Sequence, residues 1–213
     1  MTLLKVCGLT RRIDVEFIDK YADYAGFIIY SDVRTPRLIN PNEARELASI
    51  LSKAKPVAVV RGLRFRDAVD LAARLGFPIL QYHGVVNLNE YINEQGNIKI
   101  APVIEYTDDS AVLKAIGGYL TMSGIEYVLI DAPKVGHGVF EHGLKIPLSI
   151  ISRVAGLSKV GVAGGIGPSN VRLIIRYNPY LIDVNSGVES SPGVKDHELV
   201  MEVVKVVKGE GST

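Results

Sequence analysis

The sequence predicts a single-domain α/β protein folded as a (β/α)8 TIM barrel, and three observations predict it. Short apolar, β-branched runs alternate with amphipathic stretches about eight times along the 213 residues. No stretch reads as a linker, so the strand–helix units belong to one fold. Polar residues collect where the strands end: Cys7, Arg37 beyond the second strand, Gln81 and His83, Glu105, Asp131, and Asn185 with Ser186. Repeated strand–helix units build either a closed barrel or a doubly wound open sheet. A barrel gathers all those strand ends at one mouth, whereas an open sheet spreads them along an edge, so the polar residues decide for the barrel.

The elements follow in order. The first strand is Leu3–Cys7, where alternation puts Lys5 and Cys7 on one face and Leu4 and Val6 on the other. Gly8 ends it, and Thr10 can begin the helix Arg12–Tyr21. The second strand, Gly26–Tyr30, leads through a loop carrying Arg34 and Arg37 into the helix Pro41–Ser52. Asn40 can cap that helix, Pro41 already has a helical φ, and Glu43 can close a capping box. The strands Val57–Arg61, Ile79–His83, Lys99–Ile104, Tyr127–Asp131, Lys159–Ala163 and Leu181–Asn185 come next. Their helices are Arg66–Leu75, Asn87–Glu94, Asp109–Tyr119, Pro147–Val154, Ser169–Tyr177 and Asp196–Val207. The barrel is expected to fill residues 1–208, with short loops, and the tail 209–213 to fray.

Composition narrows the function. Hydrophobic residues make up 47% and charged residues 22%, as in a soluble enzyme or binding domain. The net charge of +1, with no basic run or acidic tail, gives no footprint for nucleic acid or a membrane surface. A single cysteine excludes an intrachain disulfide and any multi-cysteine metal site, and the four histidines lack zinc-site spacing. No leader pattern and no membrane-length apolar stretch is present, so a cytoplasmic protein is expected.

Cys7 stands at the mouth of a glycine turn, beside Lys5 on the inner face. A free cysteine is commonly just a small buried hydrophobe. Here Asp183, on the neighbouring eighth strand, is expected to pair with Lys5, and the Lys5 charge to help Cys7 toward thiolate.

Val160 to Asn170 reads as a strand, a glycine turn and a helix start, and Asn185-Ser186-Gly187-Val188-Glu189 as a second small-residue turn. In a barrel these follow strands seven and eight, where backbone N–H groups at Gly164, Gly165, Ser186 and Gly187 can crowd a phosphate. Taken singly, such glycines only make tight turns; the adjacent pair points to an anion. The same stretch partly imitates a dinucleotide fingerprint, but Asn170 stands at the third glycine position and Asp183 precedes the end of its strand.

Asp131 ends an otherwise apolar strand, ahead of the glycine-rich loop Lys134–Gly143 that can fold over the site. Apolar surroundings disfavour a carboxylate's charge and keep a general acid protonated, although an acid there can also serve as a helix cap or ion-pair partner. Arg34 and Arg37 share one loop, and arginine forks suit carboxylates, although exposed loop arginines are commonly only solvated. Gln81 and His83 share a face, with His83 read as orienting or structural.

These residues together resemble the phosphoribosylanthranilate isomerase family, barrel enzymes of tryptophan biosynthesis. The matching pieces are Lys5 to Thr10, Gly26 to Tyr30, Pro36-Arg37, Gln81 to Gly84 and Leu129 to Asp131. Gly164 to Val171, and Asp183 to Glu189 continuing through Pro192 to Asp196, complete a likeness that spans the chain. The resemblance implies an Amadori rearrangement of N-(5-phosphoribosyl)anthranilate to 1-(2-carboxyphenylamino)-1-deoxyribulose 5-phosphate, without cofactor or metal. It implies that Asp131 protonates the ring oxygen, that Cys7 removes the C2 proton, and that Arg37 holds the anthranilate carboxylate. The turns at Gly164-Gly165 and Ser186-Gly187 would hold the phosphate, and the partner would be this small substrate alone, met by a monomer or a homodimer.

The sequence departs from that family in three places. The loop Gly136 to His142 is short and lacks tryptophan, Val59-Val60-Arg61-Gly62-Leu63 replaces the usual end of the third strand, and Leu38 stands where an aromatic is expected. A related barrel isomerising the histidine-pathway aminoaldose, or both substrates, is the chemical alternative, but that chemistry places an aspartate where Cys7 stands. A non-catalytic phosphate-binding barrel is the alternative of another class.

Overall fold

Eight parallel strands close on one another in chain order in the computed structural model, which describes residues 1–86, 97–133 and 138–209. They are β1 Leu3–Val6, β2 Tyr24–Tyr30, β3 Lys55–Arg61, β4 Ile79–His83, β5 Lys99–Glu105, β6 Val128–Asp131, β7 Val160–Val162 and β8 Leu181–Val184. The helices are α1 Arg12–Ile18, α2 Pro41–Ala48, α3 Phe65–Arg74, α4 Asp109–Leu120, α5 Leu148–Arg153, α6 Pro168–Ile174 and α7 His197–Lys208. The expected helix Asn87–Glu94, the tail beyond Gly209 and the first part of the loop after Asp131 lie outside the described residues.

Alternation along each strand divides the core in two. Val57 and Val59 of β3, Ile79 of β4, Ala101 and Val103 of β5 and Leu129 of β6 fill the barrel interior. Their neighbours Ala58, Val60, Leu80, Ile100 and Ile130 face the helices and build the larger layer between sheet and helix ring. Closure is made by β1 against β8, with Lys5 opposite Asp183, so the expected neighbours are register partners.

Element ends differ from expectation for local reasons. Strand β7 starts one residue late because Lys159 has φ 64, outside the extended region. Asn40 caps α2, its side chain accepting from the Asn42 N–H at 2.9 Å. Thr10 does not cap α1, whose N-cap is Arg11. Its hydroxyl instead donates to the Gly193 carbonyl at 2.6 Å. Gly193 lies in a hairpin absent from the sequence reading, β9 Glu189–Ser191 against β10 Val194–Lys195.

Candidate active site

A cavity of about 280 Å³ opens at the C-terminal mouth of the barrel. Cys7, Arg37, Gln81, His83, Asp131, Gly164, Gly165, Asp183, Ser186 and Gly187 all line it, so the residues expected from the sequence are brought to one place. Lys5 alone lies beneath the lining, with no exposure. Glu105, read as part of the same set of strand ends, is not in the lining; it stands 3.9 Å from Arg61 at the rim.

Cys7 follows β1, and its N–H continues the ladder to the Val184 carbonyl at 2.9 Å. Lys5 Nζ lies 2.9 Å from Asp183 Oδ2, the expected pair, and its charge also acts on the Cys7 thiol. Burial favours the neutral amine, but Asp183 and then Cys7 outweigh it, so Lys5 is held above its ordinary range. The Lys5 charge acts on the thiol in the expected direction, toward thiolate, but a larger effect opposes it. That effect is desolvation, and it pushes the Cys7 pKa up. The neighbouring cation does not offset the loss of water around the buried sulfur.

Asp131 ends β6, separated from β1 by the two strands β7 and β8, and its Oδ1 accepts the Ala132 N–H at 2.8 Å. Gln81, buried on β4, accepts from the Tyr127 hydroxyl at 3.0 Å through Oε1. Its Nε2 lies 3.4 Å from His83 Nε2, so the buried tyrosine orients Gln81, and Gln81 in turn adjoins His83 at the cavity wall.

The two glycine turns are one structure. Gly164 and Gly165 have φ of +97° and +78°, which a side chain would strain. Among the described residues the N–H groups of Gly164, Gly165 and Ile166 have no acceptor, leaving three successive donors beside the cavity. Gly187 packs directly against the Ile166 carbonyl, and a Cβ on Gly167 would stand 2.6 Å from the Gly187 oxygen. Asn170 staples the first turn: its Oδ1 accepts from Gly167 N–H at 3.0 Å, and its Nδ2 donates to the carbonyls of Gly165 at 2.9 Å and His142 at 3.2 Å. The residue that spoils a dinucleotide fingerprint is thus the one that shapes the anion turn.

Of the loop Lys134–Gly143, residues 134–137 lie outside the described residues; its end reaches this turn through the His142 carbonyl, and the following residues continue the contact. Lys145 N–H donates to the Gly164 carbonyl at 2.9 Å, and the Lys145 side chain enters the lining as a cation that sequence reading passed over. Its signal was slight, a lone lysine in a loop of variable length.

Arg37 reaches the cavity but is not a free fork. Its Nε lies 2.9 and 3.1 Å from the two Glu189 oxygens and its Nη2 lies 2.5 Å from Oε2. Only the Nη1 edge is without an acceptor among the described residues. Arg61 also joins the lining and pairs with Asp32 at 2.5 Å across Gly62, tying the Arg37 loop to the end of β3. Leu38 stays outside the lining, half exposed.

Comparison with known proteins bears on the whole chain and its fold. A sequence model of the N-(5'-phosphoribosyl)anthranilate isomerase family matches residues 4–206. The chain belongs to that family. The N-(5'-phosphoribosyl)anthranilate isomerase of Pyrobaculum aerophilum is 41% identical over 208 residues, covering 97% of this chain and 99% of its own. The crystal structure of the Thermotoga maritima family member superposes with a TM-score of 0.80 at 25% identity, covering 98% of this chain and 100% of that one. Monomers generated from the dimeric form of that same protein give a TM-score of 0.79 at 26% identity, covering 98% and 100%. Among the described residues no helix is long and apolar enough to cross a membrane, and no cluster of three His, Cys, Asp or Glu side chains could hold a metal ion.

Proposed function

We propose that this protein performs the family's isomerisation in tryptophan biosynthesis, with Asp131 as general acid and Cys7 as general base. The substrate is N-(5-phosphoribosyl)anthranilate, a labile aminoaldose. Asp131 gives its proton to the furanose ring oxygen, and the C1–O bond breaks to leave a Schiff base. Cys7 as thiolate takes the C2 proton, and the electron pair moves toward nitrogen to give an enolamine. The enol proton leaves oxygen and C1 gains one, which yields the aminoketose 1-(2-carboxyphenylamino)-1-deoxyribulose 5-phosphate. Arg37 Nη1 takes the anthranilate carboxylate, and the joined turns at Gly164-Gly165 and Ser186-Gly187, with Lys145, take the phosphate.

One observation carries this reading: a thiol and a carboxyl line one cavity beside three successive backbone donors that have no acceptor among the described residues. The donors fix one end of a phosphorylated ligand, so that the reacting carbons lie between acid and base. The reaction draws on groups of the protein alone, in the cytoplasm, in a monomer or a homodimer. Loss of anthranilate-adduct fluorescence on adding the protein tests it, with the histidine-pathway aminoaldose as comparison. Turnover of that comparison substrate alone, or of neither, would overturn the assignment.

A further inference from the structure

Behind Arg37 lies an ion cluster that the chemistry above does not use. Glu189 holds the arginine through Nε and Nη2. On its far side Lys195 Nζ lies 2.7 Å from Glu189 Oε1, and donates to Asn185 Oδ1 at 3.0 Å and to the Asn185 carbonyl at 3.3 Å. Those three acceptors use all three ammonium protons. The Lys195 side chain has no exposure, so it cannot itself reach a ligand in the cavity.

Charge counting shows what such a lysine does. An arginine clasped by one glutamate is a neutral pair, a poor partner for an incoming carboxylate. With Lys195 the cluster of Arg37, Glu189 and Lys195 carries +1, and the single unclasped edge is Nη1 of Arg37. The clasp itself is built from four parts of the chain. A Cβ on Gly8 would stand 2.8 Å from Arg37 Cδ and 2.7 Å from Asn185 Oδ1, so the bare turn after β1 lets these two side chains lie across it. The β9–β10 hairpin rests on the residue before Arg37, with Gly193 Cβ space bounded by the Pro36 carbonyl at 3.2 Å.

We propose that Glu189 and Lys195 are positioning residues for carboxylate recognition: Glu189 aims Arg37, and Lys195 neutralises Glu189 so that the arginine keeps its charge for the ligand. The inference rests on the reading that Arg37 takes the anthranilate carboxylate, and the test separates the two. The probes are the product, 1-(2-carboxyphenylamino)-1-deoxyribulose 5-phosphate, and its analogue without the carboxyl group. Titration calorimetry on each variant, folded by circular dichroism, gives the ratio of the two affinities, a measure that a general loss of structure does not move. Arg37→Ala should collapse the ratio. Lys195→Met should lower it about tenfold while the carboxyl-free analogue binds as in wild type, because only charge has been removed. Glu189→Gln/Lys195→Met restores the +1 charge without the clasp, and should recover part of the ratio. An unchanged ratio in Arg37→Ala overturns the carboxylate reading and this inference with it. A normal response of Arg37→Ala overturns the inference alone if Lys195→Met weakens both probes equally or keeps the wild-type ratio, or if the double variant recovers nothing.

Discussion

Gly26 makes the room that Cys7 occupies: a Cβ on this glycine would stand 3.0 Å from Cys7 Sγ and 2.9 Å from Lys5 Nζ. Strands β1 and β2 pair with Lys5 beside Tyr24 and Val6 beside Ala25, so Gly26 follows at the level of Cys7. Gly26→Ala should therefore displace the thiol or the ammonium without unfolding the sheet. A misplacement near 1 Å costs about 10²-fold in turnover, and overpacking lowers stability by about 1–3 kcal/mol. Turnover and thermal unfolding check both, and wild-type turnover in Gly26→Ala would show that the crowding is relieved elsewhere.

The Cys7 thiol sets the second expectation. Removing a general base costs about 10²–10⁴-fold, so Cys7→Ala should lose most turnover yet keep product affinity. Because burial raises the thiol pKa, the thiolate fraction grows only at high pH, and the rising limb of activity should lie above the usual thiol range. The sign follows from the thiolate being the base: a raised pKa moves its gain to higher pH. A rate profile under single-turnover conditions reads the limb, and a limb below the usual thiol range would mean that another base acts.

Much of this was legible in the sequence because strand alternation and strand ends are local signals. Lys5 and Cys7 fall on the inner face by parity alone, and the glycines at 164, 165 and 187 announce turns whatever surrounds them. What was not legible needed distance along the chain. Glu189 and Lys195 sit in an evident motif, but nothing local says that a hairpin folds back over Arg37 from more than 150 positions later. The net effect on Cys7 also escaped, since a neighbouring lysine is visible in the sequence and the loss of solvent is not.

For Asp131 the decisive variant is Asp131→Asn, which keeps the shape and the bond from the Ala132 N–H but carries no acidic proton. It should lower kcat far more than it raises KM, by about 10²–10⁴-fold. Since Glu105 stays outside the cavity lining, His83 is the remaining titratable group named for the site that could open the ring instead. Equal activity in Asp131→Asn and its loss in His83→Gln would transfer the role.

The phosphate turn depends on geometry that a single side chain enforces. Asn170 is buried and holds Gly165, Gly167 and His142 by three hydrogen bonds, so Asn170→Ala leaves the buried Gly167 N–H without its acceptor, at about 1–3 kcal/mol. Part of that loss falls on the turn itself, and affinity for inorganic phosphate should drop about tenfold, with the product weakened in parallel. Gly165→Val acts on the same turn by another route: φ is +78°, and the new Cβ would stand 2.8 Å from the Gly143 carbonyl, a backbone atom that cannot swing away. It too should weaken phosphate and product together. Arg37→Ala should do the opposite, sparing inorganic phosphate while weakening the product, because its fork serves the other end of the ligand. Calorimetry with inorganic phosphate on the three variants separates these. Phosphate binding that survives Gly165→Val and disappears in Arg37→Ala would show that the two ends of the cavity have been assigned in reverse.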